Sequence, residues 1–240
     1  MSIMTRATGA AALAAIACFA TTSLAAPLGA AQNILPLDAV DLVDIPRLDF
    51  QAIDDEDHAR AAAGEAYRYA IPHGISLTPA TDGTWERIDA DSLMWRIRIA
   101  SQDATSINLA FGEFMLPERA QLVLYTADGL TDIRPFTAAD NNPDNELWTP
   151  PLPGEDIVVE LQIDERDRDF IERNLALTSI NVGYRGFYDT ANTPSRSGSC
   201  NYDVECSEAD DWRNEIPCVA AISTGSSLFC TGFMVNNIAN

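Results

Sequence analysis

Between residues 93 and 99 every second side chain is apolar, and this pattern constrains the fold more than any other. Arg96 and Arg98 separate apolar residues that occupy every second position: Leu93, Trp95, Ile97 and Ile99. A period of two is that of a β-strand with one buried and one solvated face. The segment is therefore predicted to be a strand whose arginine side faces water.

The same rhythm recurs along the next hundred residues, with turn sequences in between. Apolar alternation appears at 107–111, 122–124, 157–163 and 180–184, and the intervening turns are rich in Pro, Gly, Asn and Asp. Short strands with such punctuation are typical of an antiparallel β-sandwich, here a jelly-roll-like one. We assign it to residues 82–188 and predict a mostly β fold class.

The segment before the sandwich, residues 26–81, reads as an acidic leader. Apolar residues alternate irregularly with Asp between Asn33 and Phe50, and two prolines interrupt them. From Asp54 an acidic start runs into alanines, which predicts one short helix because acidic side chains stabilise a helix amino terminus.

Residues 1–25 have the pattern of a secretory signal peptide. Arg6 precedes an uninterrupted run of small and apolar residues that extends to Ala26. We expect cleavage after Ala25, between Ala25 and Ala26, and hence a secreted, extracellular protein. A lipoprotein acceptor at Cys18 is the alternative.

The charge balance excludes some partners. The chain has 36 acidic against 15 basic residues, a net charge of −21, so nucleic acid and anionic membranes would repel it. No second apolar stretch long enough for a bilayer follows the signal, which predicts no membrane contact after its removal.

Four cysteines crowd the end of the chain: Cys200, Cys206, Cys218 and Cys230. None lies between residues 26 and 199, so we place a linker at 189–196 and a new domain at 197–240. In an exported protein these cysteines are disulfide candidates. Zinc is the weaker alternative because the intervening spacings are five, eleven and eleven residues, with no C-x-x-C. We assign no cofactor and no metal.

Two motifs carry a family resemblance. S-G-S-C-N-Y-D-V-E-C-S-E at 197–208 and L-F-C-T-G-F-M-V-N-N-I-A-N at 228–240 resemble the start of the mature domain of bacterial lysyl endopeptidases. These are secreted serine proteases of the chymotrypsin-like fold. The resemblance implies that the apolar runs from Val219 and Leu228 are the first strands of an incomplete chymotrypsin-like double β-barrel. It also implies that the sandwich, with G-Y-R-G-F at 183–187, is a pro-domain.

The resemblance further implies a Ser, His and Asp triad. Its members would follow Asn240, so we assign no catalytic residue here and expect an inactive fragment, truncated before the catalytic His. Its partners would be its own protease domain and, for the full-length enzyme, peptide or protein substrates. We interpret His58 and His73 as solvated structural residues.

The cysteine pairing stays open. The resemblance implies that Cys200 and Cys206 bridge to downstream cysteines and that Cys230 bridges to the Cys after the catalytic His. Cys218 departs from the family pattern. Within the chain, four cysteines allow three pairings.

Arg196 is the candidate maturation site. It is the only basic residue between Arg185 and Arg213, and cleavage after it would free Ser197 as a new amino terminus. The resemblance widens the window to Pro194–Ser197. The alternative is an ordinary linker arginine.

A second function class is an exported β-sandwich binding module with a cysteine-rich tail, recognising carbohydrate or calcium. The stretch D-N-N-P-D-N-E from Asp140 offers the hard oxygen ligands that calcium prefers. It lacks the D-x-D-x-D-G order of a calcium loop.

Overall fold

A computed structural model of the protein describes residues 35–185 and 207–234. Within these residues the fold is mostly β, which confirms the predicted class. The strands are β1 (Leu42–Ile45), β2 (Tyr67–Arg68), β3 (Ala70–Leu77), β4 (Thr84–Arg87), β5 (Ser92–Ser101), β6 (Ser106–Phe114), β7 (Gln121–Thr126), β8 (Asp132–Phe136), β9 (Leu147–Trp148), β10 (Leu152–Pro153), β11 (Asp156–Asp164), β12 (Leu175–Gly183), β13 (Val219–Thr224) and β14 (Ser227–Phe233). The helices are α1 (Phe50–Ala62) and α2 (Arg168–Asn174).

Two sheets form the predicted sandwich. The first has the order β1-β5-β11-β7-β8 with β4 also paired to β5, and the second has the order β10-β6-β12-β3 with β9 also paired to β6. All of these pairs are antiparallel except β1 with β5. Both sheets contribute every second residue to one core, for example Ile97 and Leu124 from the first sheet and Leu109 and Ile180 from the second. The period-two strands at 93–99, 107–111, 122–124 and 157–163 are confirmed.

Arg96 corrects one expectation. Its face of β5 is not solvated: the side chain is fully buried, and its Nε donates to Glu86 Oε1 at 2.7 Å. Its Nη2 donates to the carbonyl of Leu35 at 2.7 Å, because the start of the described chain covers this face of the first sheet. Leu37 from the same segment packs on a small apolar cluster there, which includes Tyr125.

The lower boundary of the sandwich also differs from the prediction. Strands β1 and β3 both precede residue 82, yet β1 pairs with β5 and β3 pairs with β12 along six register positions. Pro72 and Gly74 interrupt β3 in the sequence and hide its alternation. Proline is tolerated there because β3 is an edge strand of its sheet. The segment read as a leader therefore supplies part of the fold.

The predicted short helix is present as α1, and it begins earlier than Asp54. Asp49 caps it, accepting a hydrogen bond from the Ala52 backbone N–H at 3.1 Å. Helix α2, which connects β11 to β12, was not predicted. In the described part of the chain, neither helix has the length and apolar character needed to cross a bilayer.

The two strands predicted after the linker form the hairpin β13–β14, with Gly225 and Ser226 in the turn. The hairpin joins β2 to make a third sheet in the order β13-β14-β2. The sheets described for 35–185 and 207–234 do not close into a barrel, so a chymotrypsin-like barrel stays a prediction.

Candidate functional site

The hairpin is attached to the sandwich by backbone pairing with β2. Ser227 pairs with Arg68, and Leu228 pairs with Tyr67, in antiparallel register. Beyond this ladder the backbone N–H groups of Tyr69 and Ala70 both donate to the Ser226 carbonyl, at 2.9 and 3.3 Å. The hairpin and β2 thus form a small sheet of their own, and main-chain hydrogen bonds join the hairpin to the segment that leads into β3 of the sandwich.

The turn of the hairpin is seated in a groove on the sandwich. The hydroxyl of Tyr69 donates to the carbonyl of Gly225 at 2.5 Å, and Asn108 Nδ2 donates to the same oxygen at 3.4 Å. The ring of Trp148 lies against Gly225, so closely that a Cβ there would meet ring carbon Cζ3 at 2.8 Å. Gly225 also has φ +60°, the left-handed region that favours glycine. The turn therefore requires glycine for two separate reasons.

The walls of this groove are fixed by the second sheet. Trp148 pairs with Ala110 through the short strand β9, and Thr149 Oγ1 accepts a hydrogen bond from the Leu109 N–H at 2.9 Å. Because Leu109 points into the core, Asn108 and Ala110 lie on the opposite face of β6, where the turn docks. The groove is thus built on paired strands.

A buried carboxylate holds β2 in position. Asp57 of α1 is 9% exposed, and its Oδ1 accepts from Arg68 Nε at 3.1 Å. Its Oδ2 accepts from the Tyr184 hydroxyl at 2.5 Å and from Arg185 Nη2 at 2.7 Å. Glu56 binds the outer side of Arg68 at 2.9 Å. We call Asp57, Arg68, Tyr184 and Arg185 the Asp57 cluster; it ties α1, β2 and the end of the sandwich together.

The cluster is joined to the hairpin contact through neighbouring residues. Arg185 stacks over the ring of Tyr67, with its guanidinium carbon 4.5 Å from the ring centre. The Tyr184 hydroxyl oxygen also lies 2.9 Å from the carbonyl oxygen of Arg68, so its one proton is shared between this carbonyl and Asp57. Tyr67 and Arg68 are the residues of β2 that pair with β14. The same groups therefore orient the edge that receives the hairpin.

The Tyr184 hydroxyl predicts loss of stability in alkali. Burial, and then its hydrogen bond to Asp57, raise the pKa of Tyr184 to about 12. The unfolded phenol ionises near pH 10, so this stabilising contribution is complete below about pH 10 and is lost by about pH 12. Unfolding in urea at stepped pH should show the free energy of unfolding falling across this range, and less steeply in Tyr184→Phe. A Tyr184→Phe profile as steep as that of the wild type would contradict this assignment.

The structure places only some of the residues predicted as sites. Cys218 lies directly before β13 and Cys230 lies within β14, and both are free and exposed thiols. Cys200, Cys206, Arg196 and Ser197 lie outside the described residues, as do Ala25 and Ala26 of the signal cleavage site. The disulfide, maturation and signal cleavage sites therefore stay predictions.

The hairpin register bears on the cysteine pairing. The carbonyl of Cys218 accepts from the Met234 N–H at 2.8 Å, whereas Cys230 pairs with Ile222. Four residues of strand separate Met234 from Cys230, about 13 Å at the usual rise. A disulfide needs Cα atoms within about 7 Å, so Cys218 and Cys230 cannot bridge each other in this register. This excludes one of the three pairings within the chain, the one that joins Cys218 to Cys230.

The two histidines differ from each other. The side chain of His58 on α1 is 77% exposed, as predicted. His73 on β3 is half-buried, and burial lowers its pKa; its Nε2 is buried without a hydrogen-bond partner, so the solvated interpretation was wrong for that atom.

The acidic turn considered for calcium is engaged with its own neighbours. Asp140 binds Arg134 at 2.5 Å and accepts from the Thr137 N–H at 2.8 Å. Asn142 caps the turn by accepting from the Asp144 N–H at 3.0 Å. In residues 35–185 and 207–234, no group of three or more His, Cys, Asp or Glu is arranged to hold a metal ion.

Sequence reasoning did not find the groove or the Asp57 cluster. The residues that form the groove with Gly225 include Tyr69 and Trp148. These three residues are far apart in the sequence, so no local pattern indicated that they meet. G-Y-R-G-F at 183–187 contains Tyr184 and Arg185, but nothing in the sequence indicated Asp57 as their partner.

The end of the chain is similar to a known protein family. Residues 194–240 match the family model described as "Lysyl endopeptidase, C-terminal domain". The matched segment is about a fifth of the chain and contains the whole hairpin β13–β14. The match supports the resemblance to lysyl endopeptidases, and with it a relationship to serine proteases, for this segment.

Proposed function

We propose that the chain is the amino-terminal part of a secreted serine endopeptidase precursor of the lysyl endopeptidase kind. In this account residues 35–185 are the pro-domain, and the catalytic domain starts near Ser197. The observation that carries the proposal is the seating of the hairpin: the segment that matches the protease family is held in a groove of the sandwich and is paired with β2, the strand just before β3.

The exposed apolar residues of the hairpin segment support a larger β domain. Five large apolar side chains of this segment are exposed to solvent, and no described residue of 35–185 or 207–234 covers them: Trp212, Val219, Ile222, Phe233 and Met234. Two strands alone are marginally stable in water. Apolar patches of this kind mark surfaces that pack against further structure.

Pairing with β2 gives the pro-domain a means of keeping the zymogen inactive. In a closed barrel every strand pairs on both sides, so β14 needs both of its edges. The edge of β14 at Ser227 and Leu228 is taken by β2 instead. While β2 holds that position, no barrel strand can pair there, and β14 is kept extended during a slow, non-local folding reaction.

The reaction we assign to the full-length enzyme is hydrolysis of peptide bonds after lysine, by a Ser, His and Asp triad. The matched segment 194–240 contains no histidine, so the general base is not among its residues. We therefore expect the purified 240-residue chain to hydrolyse neither lysyl nor arginyl peptide substrates. If an activity against either substrate co-purifies with the chain, this expectation is wrong.

Maturation in this proposal has two cuts. Signal peptidase cuts after Ala25 and releases the precursor outside the cell. Hydrolysis of the Arg196–Ser197 bond, within the window Pro194–Ser197, then frees the catalytic domain, whose cysteines form disulfides in the oxidising exterior.

The test uses the secreted product of the gene in its own cells. The culture medium is treated with a fluorophosphonate probe, which reacts with the nucleophilic serine of active serine hydrolases, and the labelled protein is sequenced from its amino terminus. We expect a labelled protein that begins between residues 194 and 197, with the sandwich as a separate fragment. An unlabelled product in which the sandwich stays covalently attached would favour the binding module instead.

A further inference from the structure

The chain contains no lysine. All 15 basic side chains among its 240 residues are arginines. Lysine is one of the commonest residues in proteins, and a chain of this length ordinarily carries on the order of ten. A protease that requires lysine at the bond it cuts has no such bond here, whether the chain is folded or unfolded.

The arginines of the described residues are held by carboxylates. Thirteen of the fifteen are described, Arg6 and Arg196 being the exceptions, and twelve of these thirteen lie within 4.0 Å of an Asp or Glu. Arg173 at the end of α2 is the remaining one. Arg96 and Arg98 also lie inside β5, whose backbone is paired on both sides over this stretch.

Arg119, an arginine on the surface, also sits in backbone that is fixed by other hydrogen bonds. The side chain of Arg119 is 74% exposed, but the turn around it is closed by the Ala120 N–H donating to the Pro117 carbonyl at 3.0 Å. Asn141 clamps both backbone groups of Leu116 next to this turn, at 2.9 Å each. A protease binds its substrate as an extended segment, so cleavage here requires local unfolding first.

We propose that this pro-domain is built to withstand a lysine-directed endopeptidase, and that maturation depends on an arginine-directed endopeptidase. The inference rests on the proposed function, which supplies the pro-domain role and the lysine-directed catalytic domain. In the cleavage, water adds to the carbonyl carbon of an arginyl bond and the C–N bond breaks. The arginine keeps the new carboxylate, and the following residue takes the proton as an amine.

An arginine-directed protease therefore acts, in this proposal, before the lysine-specific catalytic domain is released. A lysine-specific catalytic domain cannot free itself from a chain without lysine, so an enzyme of another specificity must act earlier. Arg196 is the only basic residue between Arg185 and Arg213, which favours an enzyme that accepts arginine. The released pro-domain then persists beside the mature enzyme, because that enzyme cannot digest it.

The first experiment exposes the full chain to a lysine-specific and, separately, to an arginine-specific endopeptidase, and follows the products by intact mass and amino-terminal sequencing. We expect no cut by the lysine-specific enzyme. The arginine-specific enzyme should cut first after Arg196 and leave residues 35–185 intact for at least about tenfold longer, as local unfolding costs of about 1.4 kcal/mol or more imply.

Two matched variants each replace one arginine by lysine and so create a single bond that the lysine-specific enzyme can recognise. Arg196→Lys should become cleavable by the lysine-specific enzyme at that bond, whereas Arg119→Lys, with the lysine in the fixed turn, should stay intact over the same time. Equal cleavage of the two variants, or wild-type cuts inside the sandwich as fast as after Arg196, would overturn the proposal.

The second experiment reads maturation in the secreting cells. Cells that secrete Arg196→Gln should accumulate at least about tenfold more uncut precursor than cells that secrete the wild type, because an arginine-directed endopeptidase needs the basic side chain at the bond that it cuts. Maturation of Arg196→Gln at the wild-type rate would overturn the requirement for arginine. These readouts depend on cleavage alone, whereas failure of the proposed function would appear as absence of fluorophosphonate labelling, so the two failures are distinguishable.

Discussion

Gly225→Val is expected to release the hairpin β13–β14 from the sandwich while the sandwich stays folded. A Cβ at Gly225 would lie 2.8 and 3.0 Å from the nearest atoms of the Trp148 ring. Relief requires either the ring or the turn to move, and movement of the turn breaks the Tyr69 hydroxyl bond to the Gly225 carbonyl. Valine also resists the left-handed backbone, by roughly 1–2 kcal/mol.

Gly129→Val is the matched control. Gly129 has φ +72°, close to that of Gly225, and a Cβ there meets nothing within 4 Å. It therefore carries the same backbone strain without the steric contact. Hydrogen exchange of the backbone amides of residues 219–233 should accelerate at least about tenfold in Gly225→Val and little in Gly129→Val. Equal exchange in both variants would mean that Trp148 does not hold the turn.

Asp57→Asn is expected to destabilise the protein by about 3 kcal/mol, the range found when one partner of a buried ion pair is removed. Asparagine keeps the shape but leaves Arg68 and Arg185, whose side chains are only 11% and 13% exposed, facing each other without the shared carboxylate. The Tyr184 hydroxyl loses a charged acceptor as well. Because this cluster orients β2, the hairpin contact should weaken together with the fold.

The control for Asp57→Asn is Glu172→Gln, which removes an acid paired with Arg168 on the surface of α2. Exposed pairs of this kind contribute less than about 1 kcal/mol. The free energy of unfolding of each variant is measured by urea titration with circular dichroism. If the free energy of unfolding falls by the same amount in both variants, the Asp57 cluster does not stabilise the fold more than an exposed ion pair does.

Much of the sandwich could be predicted because its strands follow elementary periodicity. The alternation at 93–99 and 157–163 became β5 and β11, whose odd-numbered residues share one core. Where the prediction failed, tertiary packing had overridden the local pattern. Arg96 looks solvated in the sequence, but residues 35–40 cover its face, and β3 looks irregular because an edge strand tolerates Pro72.

The candidate site was harder to predict because its residues are brought together only by the topology. Tyr69, Asn108 and Trp148 come from three separate parts of the chain and meet at Gly225. The hairpin itself could be read from the apolar runs that flank Gly225, but its docking partner could not. No periodicity indicates which edge strand receives another strand.

We propose that the sandwich holds the family-matched hairpin through its groove and through β2. The most direct test of this proposal is the exchange rate of two backbone amides, those of Tyr69 and Ala70, which both donate to Ser226. The rates are compared between the full chain and a chain that stops after residue 206, with the core amides of Leu109 and Ile180 as a check that the sandwich is folded in both. We expect exchange of these two amides to be at least about tenfold slower in the full chain. Equal rates for Tyr69 and Ala70 in the two chains, with slow core amides in both, would contradict it.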